Sequence, residues 1–484
     1  MISKIYDDLK KGILISAIGR YSYFLIQFII LAVLSRLLTP EEFGVVSIIN
    51  VFLIFFNMLV DMGIGPALIQ NKTLNKKQID GVYSFTIILS IVIAIIFAFM
   101  SKPIANFYDN PKLIGVSLAM SIALLTTGMN MVPQAILAKQ KRFLEINIAQ
   151  VVSSLIAGTV AIFLAYIGFS YYALVMNTIL KNFIMFVMMF TKSRLRITKE
   201  IRKSSLLELY TFSKNQFLFN IMNYFSRNLD HLLIGKYISL KQLGYYDKAY
   251  TLSLYPNQIL TSVITPVVQP VLSEYEEQKT VIKDTYVTLS KLLALMGMPL
   301  TVFLVLSAEE VILILFGSQW TGSIPTFQIL ALSIWIQMIL SSTGSIFQSS
   351  NRTDLMLLSG ILSTILNVAS IVIGILFGKI EIVALGLVIS FAINFIQCNY
   401  LLMKKVFQAR QIEYYKILIS PSIISLLVLI SLVLIEYFLG NVSIWVTIIV
   451  KGFASLVMFL FGLKLTGNLS YLLKIFKRRG GGAG

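Results

Sequence analysis

Long apolar runs recur along the whole chain, and they constrain its fold more than any other feature. An apolar stretch of about 18 residues or more is long enough to cross a bilayer as an α-helix. Only 13% of the residues are charged, against about 25% in soluble domains. The predicted fold class is therefore an all-α polytopic membrane protein. We predict fourteen transmembrane helices, at residues 13–37, 43–69, 81–100, 112–132, 145–167, 171–190, 214–237, 248–272, 287–307, 323–349, 356–377, 381–403, 413–436 and 441–466.

Positive charge is distributed unevenly between the two sides of the predicted membrane. When successive connections are assigned alternately to the two sides, 29 of the 40 Lys and Arg residues fall on one side. Seven, Lys248 among them, fall on the other. Basic loops remain in the cytoplasm, so we predict that both termini are cytoplasmic. The net charge of +18 is then explained mostly by topology and by contact with anionic lipid, and no nucleic-acid partner is expected.

One long basic loop divides the chain. The predicted N-terminal lobe comprises residues 1–190 and helices one to six, and a basic cytoplasmic linker follows at 191–213. The C-terminal lobe comprises 214–403 and helices seven to twelve. Residues 404–479 hold two peripheral helices and a cytoplasmic tail, and we interpret 480–484 as a cloning scar. We expect the two six-helix lobes to meet around a polar, cationic central cavity.

Local signals predict where some helices begin, break or end. Thr39, Pro40 and Glu42 have the spacing of a capping box with proline at the first helical position. Residues 63–66 should break the second helix, which is tolerated at membrane depth only beside protein or a cavity. Pro133 should end the fourth helix.

The second half of the chain carries further signals. Its prolines, such as Pro256, should kink or break the eighth helix. The apolar segment 309–316 is too short to span a bilayer, and Trp320 just after it is expected to be an interfacial anchor.

Charged residues well inside the predicted helices, rather than near the helix ends, are the candidate functional residues. A bare charge in hydrocarbon costs about 3 kcal/mol or more, so such groups should face protein or water. They are Arg20, Lys181, Arg227, Lys451, Asp61, Asp230 and His231. Three of them share the seventh helix, which we expect to line the cavity.

Four segments give the chain a family resemblance: Ser35-Arg-Leu-Leu-Thr-Pro-Glu-Glu-Phe-Gly44, Arg227-Asn-Leu-Asp-His-Leu-Leu-Ile-Gly235, Leu243-Gly-Tyr-Tyr-Asp-Lys-Ala-Tyr250 and Leu315-Phe-Gly-Ser-Gln-Trp320. In order and spacing they resemble the polysaccharide transporter (Wzx-like) flippases of the multidrug/oligosaccharidyl-lipid/polysaccharide (MOP) exporter superfamily. The resemblance implies fourteen helices in two six-helix lobes with two peripheral helices. It also implies alternating access and transfer of undecaprenyl-pyrophosphate-linked oligosaccharide from the cytoplasmic to the outer leaflet, for surface polysaccharide assembly.

The resemblance also implies that cations in a central cavity bind the lipid pyrophosphate. Arg20, Lys181 and Arg227 fit that role by residue type and depth. Each has a structural alternative. Arg20 could snorkel to the inner interface, Lys181 could pair with Asp61 or Asp230, and Arg227 could pair with Asp230, three residues away on one helical face.

The remaining candidates also have two interpretations. Asp61, Asp230 and His231 could couple transport to an ion, or could form ion pairs or packing contacts; Asp61, for instance, could pair with Arg20. Lys451 on the last helix could contact the lipid head group or tail.

No pattern in the sequence indicates catalysis or a cofactor. No His, Cys and carboxylate cluster has metal-ligand spacing, and no nucleotide-binding loop is present, so energy would come from Na⁺, H⁺ or the membrane potential. Expected partners are lipid-linked oligosaccharide, membrane lipids, and polymerase and chain-length proteins of the same pathway, in a bacterial plasma membrane. The alternatives are a MATE-like drug or cation exporter and a membrane polysaccharide polymerase. Four mid-helix cations against two carboxylates favour an anionic cargo, and short external loops disfavour a polymerase.

Overall fold

The computed structural model describes residues 2–71, 73–201, 217, 221, 224–225, 227–273, 275–440 and 442–470. Every regular element among them is helical, which confirms the predicted fold class. The chain divides into two compact units, Met1–Gly244 and Tyr245–Gly484. The predicted lobe boundaries remain a prediction, and residues 480–484 lie outside the described residues.

The first unit is built around one long central helix, α6. It packs against α2, α3, α4, α5 and α8. Helix α7 packs on α8, and α1 packs on α7. The helices are α1 (Ile2–Leu37), α2 (Pro40–Asp61), α3 (Ile64–Gln70), α4 (Lys76–Phe99), α5 (Ser101–Phe107), α6 (Lys112–Lys139), α7 (Phe143–Tyr166), α8 (Tyr172–Ser193) and a helical stretch at residues 227–237, here α9.

The second unit is centred on α11, which packs against α13, α14, α18 and α19. A 3-10 turn, Ser318–Ser323, follows α12, and a π-helical turn, Leu401–Val406, follows α16. The helices are α10 (Leu240–Ser273), which starts in the last residues of the first unit, α11 (Lys279–Leu306), α12 (Ala308–Phe316), α13 (Ile324–Ala331), α14 (Ile334–Ser349), α15 (Thr353–Leu376), α16 (Ile380–Tyr400), α17 (Gln411–Lys416), α18 (Ile419–Leu439) and α19 (Ile444–Leu465).

Eleven segments among the described residues are long and apolar enough to cross a membrane. A twelfth is counted if the pair Ser318–Ala331 and Ile334–Ser349, bent by 53°, forms one span. Two of the fourteen predicted spans are not among these. The span at 214–237 lies partly outside the described residues, which break its first half into short pieces. Helix α10, although long enough, is not among the apolar helices.

The outer surface of both units is apolar, as a lipid-facing surface must be. Large side chains such as Phe163, Leu376, Phe438 and Phe453 are more than half exposed. A soluble monomer rarely exposes contiguous apolar patches larger than about 600 Å². The chain is therefore a multi-pass membrane protein.

The first interhelical turn has the predicted capping box. Thr39 Oγ1 accepts a hydrogen bond from the Glu42 backbone N–H at 3.4 Å, and Glu42 Oε2 accepts from the Thr39 N–H at 2.7 Å. This cap directs α2 toward the start of α10. A Cβ at Gly44 would overlap the Leu240 carbonyl oxygen, and a Cβ at Gly244 would overlap that of Pro40. Two helix starts therefore touch through reciprocal backbone contacts that only glycine permits.

The two predicted interruptions of the first-unit helices differ in outcome. The break at residues 63–66 is confirmed, because α2 ends at Asp61 and both Met62 and Gly63 are left-handed, with φ of 42° and 77°. The predicted end at Pro133 is wrong, since α6 continues through it to Lys139. Neighbouring helices in a membrane bundle compensate for the hydrogen bond that proline removes.

Two of the segments that carry the family resemblance pack on each other in the second unit. Lys248 of α10 is buried, and its Nζ lies 5.8 Å from the Phe316 ring centroid and 5.5 Å from that of Trp320. Tyr245 meets Trp320 edge-on at 6.2 Å. The interfacial-anchor prediction for Trp320 is therefore wrong, because the indole is fully buried. Lys248, counted above among the external loop charges, lies inside a helix instead.

The close helix contact at Gly44 gives a testable expectation. Gly44→Ala should lower the free energy of unfolding by about 1–3 kcal/mol, the usual effect of overpacking, because the new methyl group overlaps a backbone oxygen. The measurement is the thermal unfolding midpoint in detergent. Gly452→Ala on α19, where no atom lies within 4 Å of the new Cβ, is the control. Equal midpoints for both variants would contradict the contact.

Candidate functional site

Three helices of the first unit, α2, α6 and α8, carry buried or half-buried polar side chains. Helix α2 contributes Asn57 and Asp61, which are four residues apart and therefore share a helix face. Helix α8 contributes Asn177 and Lys181 with the same spacing. Both helices pack against α6, so these side chains belong to one group of packed helices. We call this set, with Asn130 of α6, the first-unit polar face.

Lys181 is the half-buried cation of this face. The next residue fixes the helix, because Asn182 Nδ2 donates to Thr127 Oγ1 of α6 at 2.8 Å. Within the described part of the chain, Lys181 makes no ion pair with Asp61 or Asp230, the two partners considered from the sequence. A half-buried ammonium group without a carboxylate carries an uncompensated positive charge.

Three carboxamide oxygens of the same face have no hydrogen-bond donor among the described residues. They are Asn57 Oδ1, Asn130 Oδ1 and Asn177 Oδ1, and each is buried. A buried acceptor left without a donor costs about 1–3 kcal/mol. Hydroxyl-rich ligands and water are the donors that could satisfy these atoms. The first-unit polar face therefore combines a cation that no described carboxylate neutralises with buried acceptors that no described donor satisfies.

Asp61 lies at the break between α2 and α3. Its carboxylate faces the backbone N–H groups of Gly63 and Gly65, and a Cβ at Gly65 would lie 3.2 Å from Asp61 Oδ1. Among the described residues it makes no ion pair with Arg20. The break thus holds this carboxylate by backbone contacts.

Helix α9 pairs two of its three ionisable residues and sets Arg227 apart from them. Asp230 is buried, and its Oδ1 accepts from the His231 backbone N–H at 2.8 Å and contacts His231 Nδ1 at 2.9 Å. Arg227 is exposed instead, and no carboxylate of the described residues pairs with it. Tyr224 Oη donates to the Val51 carbonyl of α2 at 3.2 Å, which orients the helix. The local pair considered for Arg227 and Asp230 does not form.

Arg20 lies on α1, where that helix meets α7. Its side chain is exposed, while a Cβ at the preceding residue, Gly19, would lie 2.6 Å from Asn147 Cβ. Further along, Gln27 Nε2 donates to Ser154 Oγ of α7 at 2.7 Å. The candidate arginine is thus accessible, on a helix fixed by packing and one buried hydrogen bond.

Lys451 is placed differently from the other candidates. It is buried in the second unit, and its Nζ donates to Glu310 Oε1 at 2.6 Å and to the Leu306 carbonyl at 2.8 Å. This ion pair joins α19 to α12. The ammonium group of Lys451, which the sequence suggested for lipid contact, is therefore bonded to Glu310. The partner, Glu310, was missed because it lies in the first turn of a short helix. Its only sequence signal was a carboxylate opening an apolar segment.

A family model described as polysaccharide biosynthesis protein matches residues 33–325 of the chain. The teichuronic acid biosynthesis protein TuaB of Bacillus subtilis is 24% identical over 344 residues, which are 68% of this chain and 69% of TuaB. The lipopolysaccharide biosynthesis protein WzxC of Escherichia coli is 23% identical over 418 residues, covering 85% and 83% of the two chains.

The fold also matches a solved structure over nearly its whole length. The lipid II flippase MurJ, in an inward closed conformation, superposes with a TM-score of 0.75 at 13% sequence identity. The match covers 94% of this chain and 98% of MurJ. At this identity the likeness establishes the fold.

The ion pair between Glu310 and Lys451 leads to a stability prediction. Glu310→Ala should lower the free energy of unfolding by about 3–5 kcal/mol, because it leaves a buried ammonium group without its counter-charge. The double variant Glu310→Leu with Lys451→Met should recover most of this loss, since a buried pair replaced by apolar groups is often neutral.

The measurement is again the thermal unfolding midpoint in detergent, compared across wild type, single and double variants. If the double variant is no more stable than Glu310→Ala, the uncompensated charge of Lys451 is not the cause of the destabilisation.

Proposed function

This chain belongs to the polysaccharide biosynthesis protein family, and we propose that it is a flippase for lipid-linked oligosaccharide. The cargo would be an undecaprenyl-pyrophosphate-linked repeat unit, carried from the cytoplasmic to the outer leaflet for surface polysaccharide assembly. The chain acts as a transporter and not as an enzyme in this proposal. The names of its relatives, which concern teichuronic acid and lipopolysaccharide biosynthesis, and of its structural neighbour, a lipid II flippase, support this cargo class.

The observation that carries the proposal is the half-buried Lys181, which no described carboxylate pairs with, on a helix packed with two others that carry carboxamide oxygens without described donors. A pyrophosphate group is anionic and cannot enter hydrocarbon unaided. Two unit charges 4 Å apart attract by about 4 kcal/mol at an effective dielectric constant of 20. An ammonium group on the first-unit polar face would offset part of the cost of dehydrating the phosphates. The neighbouring carboxamide oxygens would accept hydrogen bonds from sugar hydroxyl groups.

Arg227 and Arg20 are proposed as further phosphate ligands. Both side chains are exposed, so a lipid head group can reach them. Arginine binds phosphate oxygens through two parallel N–H donors, whereas lysine acts as a point charge. In this proposal the two arginines receive the head group and Lys181 holds it.

Energy coupling is assigned to the carboxylates and the histidine. Asp230 and His231 form one buried titratable pair, and Asp61 is held at the break between α2 and α3. These groups could respond to H⁺ or Na⁺, and the membrane potential would act on the charged complex as a whole. We further propose a bacterial plasma-membrane location with both termini cytoplasmic, and polymerase and chain-length proteins as partners.

The test is transport of a lipid-linked oligosaccharide in proteoliposomes. We expect Lys181→Gln to lower the initial rate at least tenfold, because about 1.4 kcal/mol of lost attraction already corresponds to a factor of ten. Lys379→Gln, which removes an exposed lysine at the start of α16, should transport at the wild-type rate.

Each result has a defined meaning. Full activity of Lys181→Gln, at equal thermal stability, would remove Lys181 from the site. Absence of transport by the wild-type protein, together with efflux of cationic dyes, would replace the flippase by a drug exporter.

A further inference from the structure

A cleft of about 520 Å³ lies at one end of the first unit, away from the polar face described above. It opens where α4 begins, where α6 turns into α7, and where α8 ends. The apolar lining groups include Ile79 and Ile136, and the polar ones are Lys76, Gln140, Arg142, Ser193 and Arg194. No carboxylate is among the described residues that line it. This end of the unit carries the basic connections that predict the cytoplasmic side.

The backbone holds the cations of the cleft in place. Lys76 opens α4 behind the capping residue Asn75, whose side chain accepts from the Gln78 N–H at 3.0 Å. Arg194 caps α8 in a left-handed conformation, with φ of 55°. A non-glycine residue in that conformation costs about 1 kcal/mol. At this turn Arg194 lines the cleft, and the residues that follow it contact α4.

The segment after α8 forms one wall of the cleft. The Arg196 N–H donates to Asp80 Oδ1 at 3.0 Å, and the Thr198 N–H donates to Ser84 Oγ at 2.8 Å. Leu195 is buried with Ile136 in the apolar cluster beneath. These contacts attach the first residues of the predicted basic linker to α4, so the cleft is a built feature with a packed floor.

The charges of the cleft are only partly compensated. Arg142 is paired with Glu145, at 2.7 Å from Nε to Oε1 and 2.5 Å from Nη2 to Oε2. Lys76 and Arg194 have no carboxylate partner among the described residues. The buried Asp80 accepts a backbone N–H. The cleft therefore presents Lys76, Arg194 and the Gln140 amide above an apolar floor. This arrangement suits a phosphate group that is attached to a hydrophobic molecule.

The rim of the cleft identifies the source of that phosphate. Phe143 and Leu144 directly follow the lining residue Arg142, and Ile197 comes two residues after the lining residue Leu195. All three are exposed, Ile197 by 69%. Exposed apolar groups beside clustered cations are typical of a membrane interface, and basic pockets between helices on the cytoplasmic side bind anionic head groups. We propose that this cleft binds the phosphodiester head group of an anionic phospholipid of the cytoplasmic leaflet.

The test uses native mass spectrometry of the purified full chain with added phosphatidylglycerol. The double variant Lys76→Gln with Arg194→Gln should bind this lipid about 25-fold more weakly, since each basic residue near a lipid surface contributes about a fivefold change. Lys77→Gln with Lys192→Gln is the matched control. It removes the same charge from exposed neighbours that do not line the cleft, and it should bind as the wild type does.

Two further measurements are needed. One distinguishes loss of charge from loss of folding, and the other distinguishes lipid binding from binding of free phosphate. Lys76→Arg with Arg194→Lys keeps both charges and should retain binding. Phosphatidylcholine should bind weakly, and millimolar inorganic phosphate should not displace phosphatidylglycerol. Equal losses in the cleft variant and the control, or equal binding of the two lipids, would overturn the proposal. Displacement by inorganic phosphate would reassign the cleft to a soluble phosphate.

Discussion

The absence of water in the bilayer core governs this structure, because every polar group there must find a partner in the protein or a ligand. The pair between Lys451 and Glu310 meets this requirement inside the second unit, where the Leu306 carbonyl takes a further hydrogen bond from the ammonium group. Lys181 and the carboxamide oxygens of the first-unit polar face do not find such partners among the described residues. The contrast separates a charge that holds two helices together from a charge that, under the proposed function, would bind the cargo.

The segments that reveal the family act mainly through packing. Thr39 and Glu42 cap α2 so that Gly44 can touch the backbone of α10. Lys248 is enclosed by Phe316 and Trp320, so a lysine in an apparent loop is in fact a core residue. Such contacts depend on exact residue size.

Cationic groups occur in two distinct settings in the first unit. In the first-unit polar face, Lys181 is half-buried on a helix packed with others that carry carboxamide groups, and under the proposed function it would bind a head group that carries sugars. In the cleft, Lys76 and Arg194 lie above apolar side chains and beside an exposed apolar rim, an environment suited to a lipid head group. Charge alone does not distinguish the two settings, and the neighbouring groups do.

The sequence by itself determined the fold class, most helix positions, the capping box at Thr39 and the break after Asp61, because apolar periodicity and backbone chemistry are local properties. Only the tertiary structure decided which charges are paired. Lys451 finds Glu310 from 141 positions away, whereas Arg227 does not pair with Asp230 three residues away. The tertiary structure also decided that α6 continues through Pro133 and that Trp320 is buried. Whether a charge is paired, a helix continues through proline or an aromatic ring is buried depends on residues distant in sequence. No local sequence pattern specifies those neighbours.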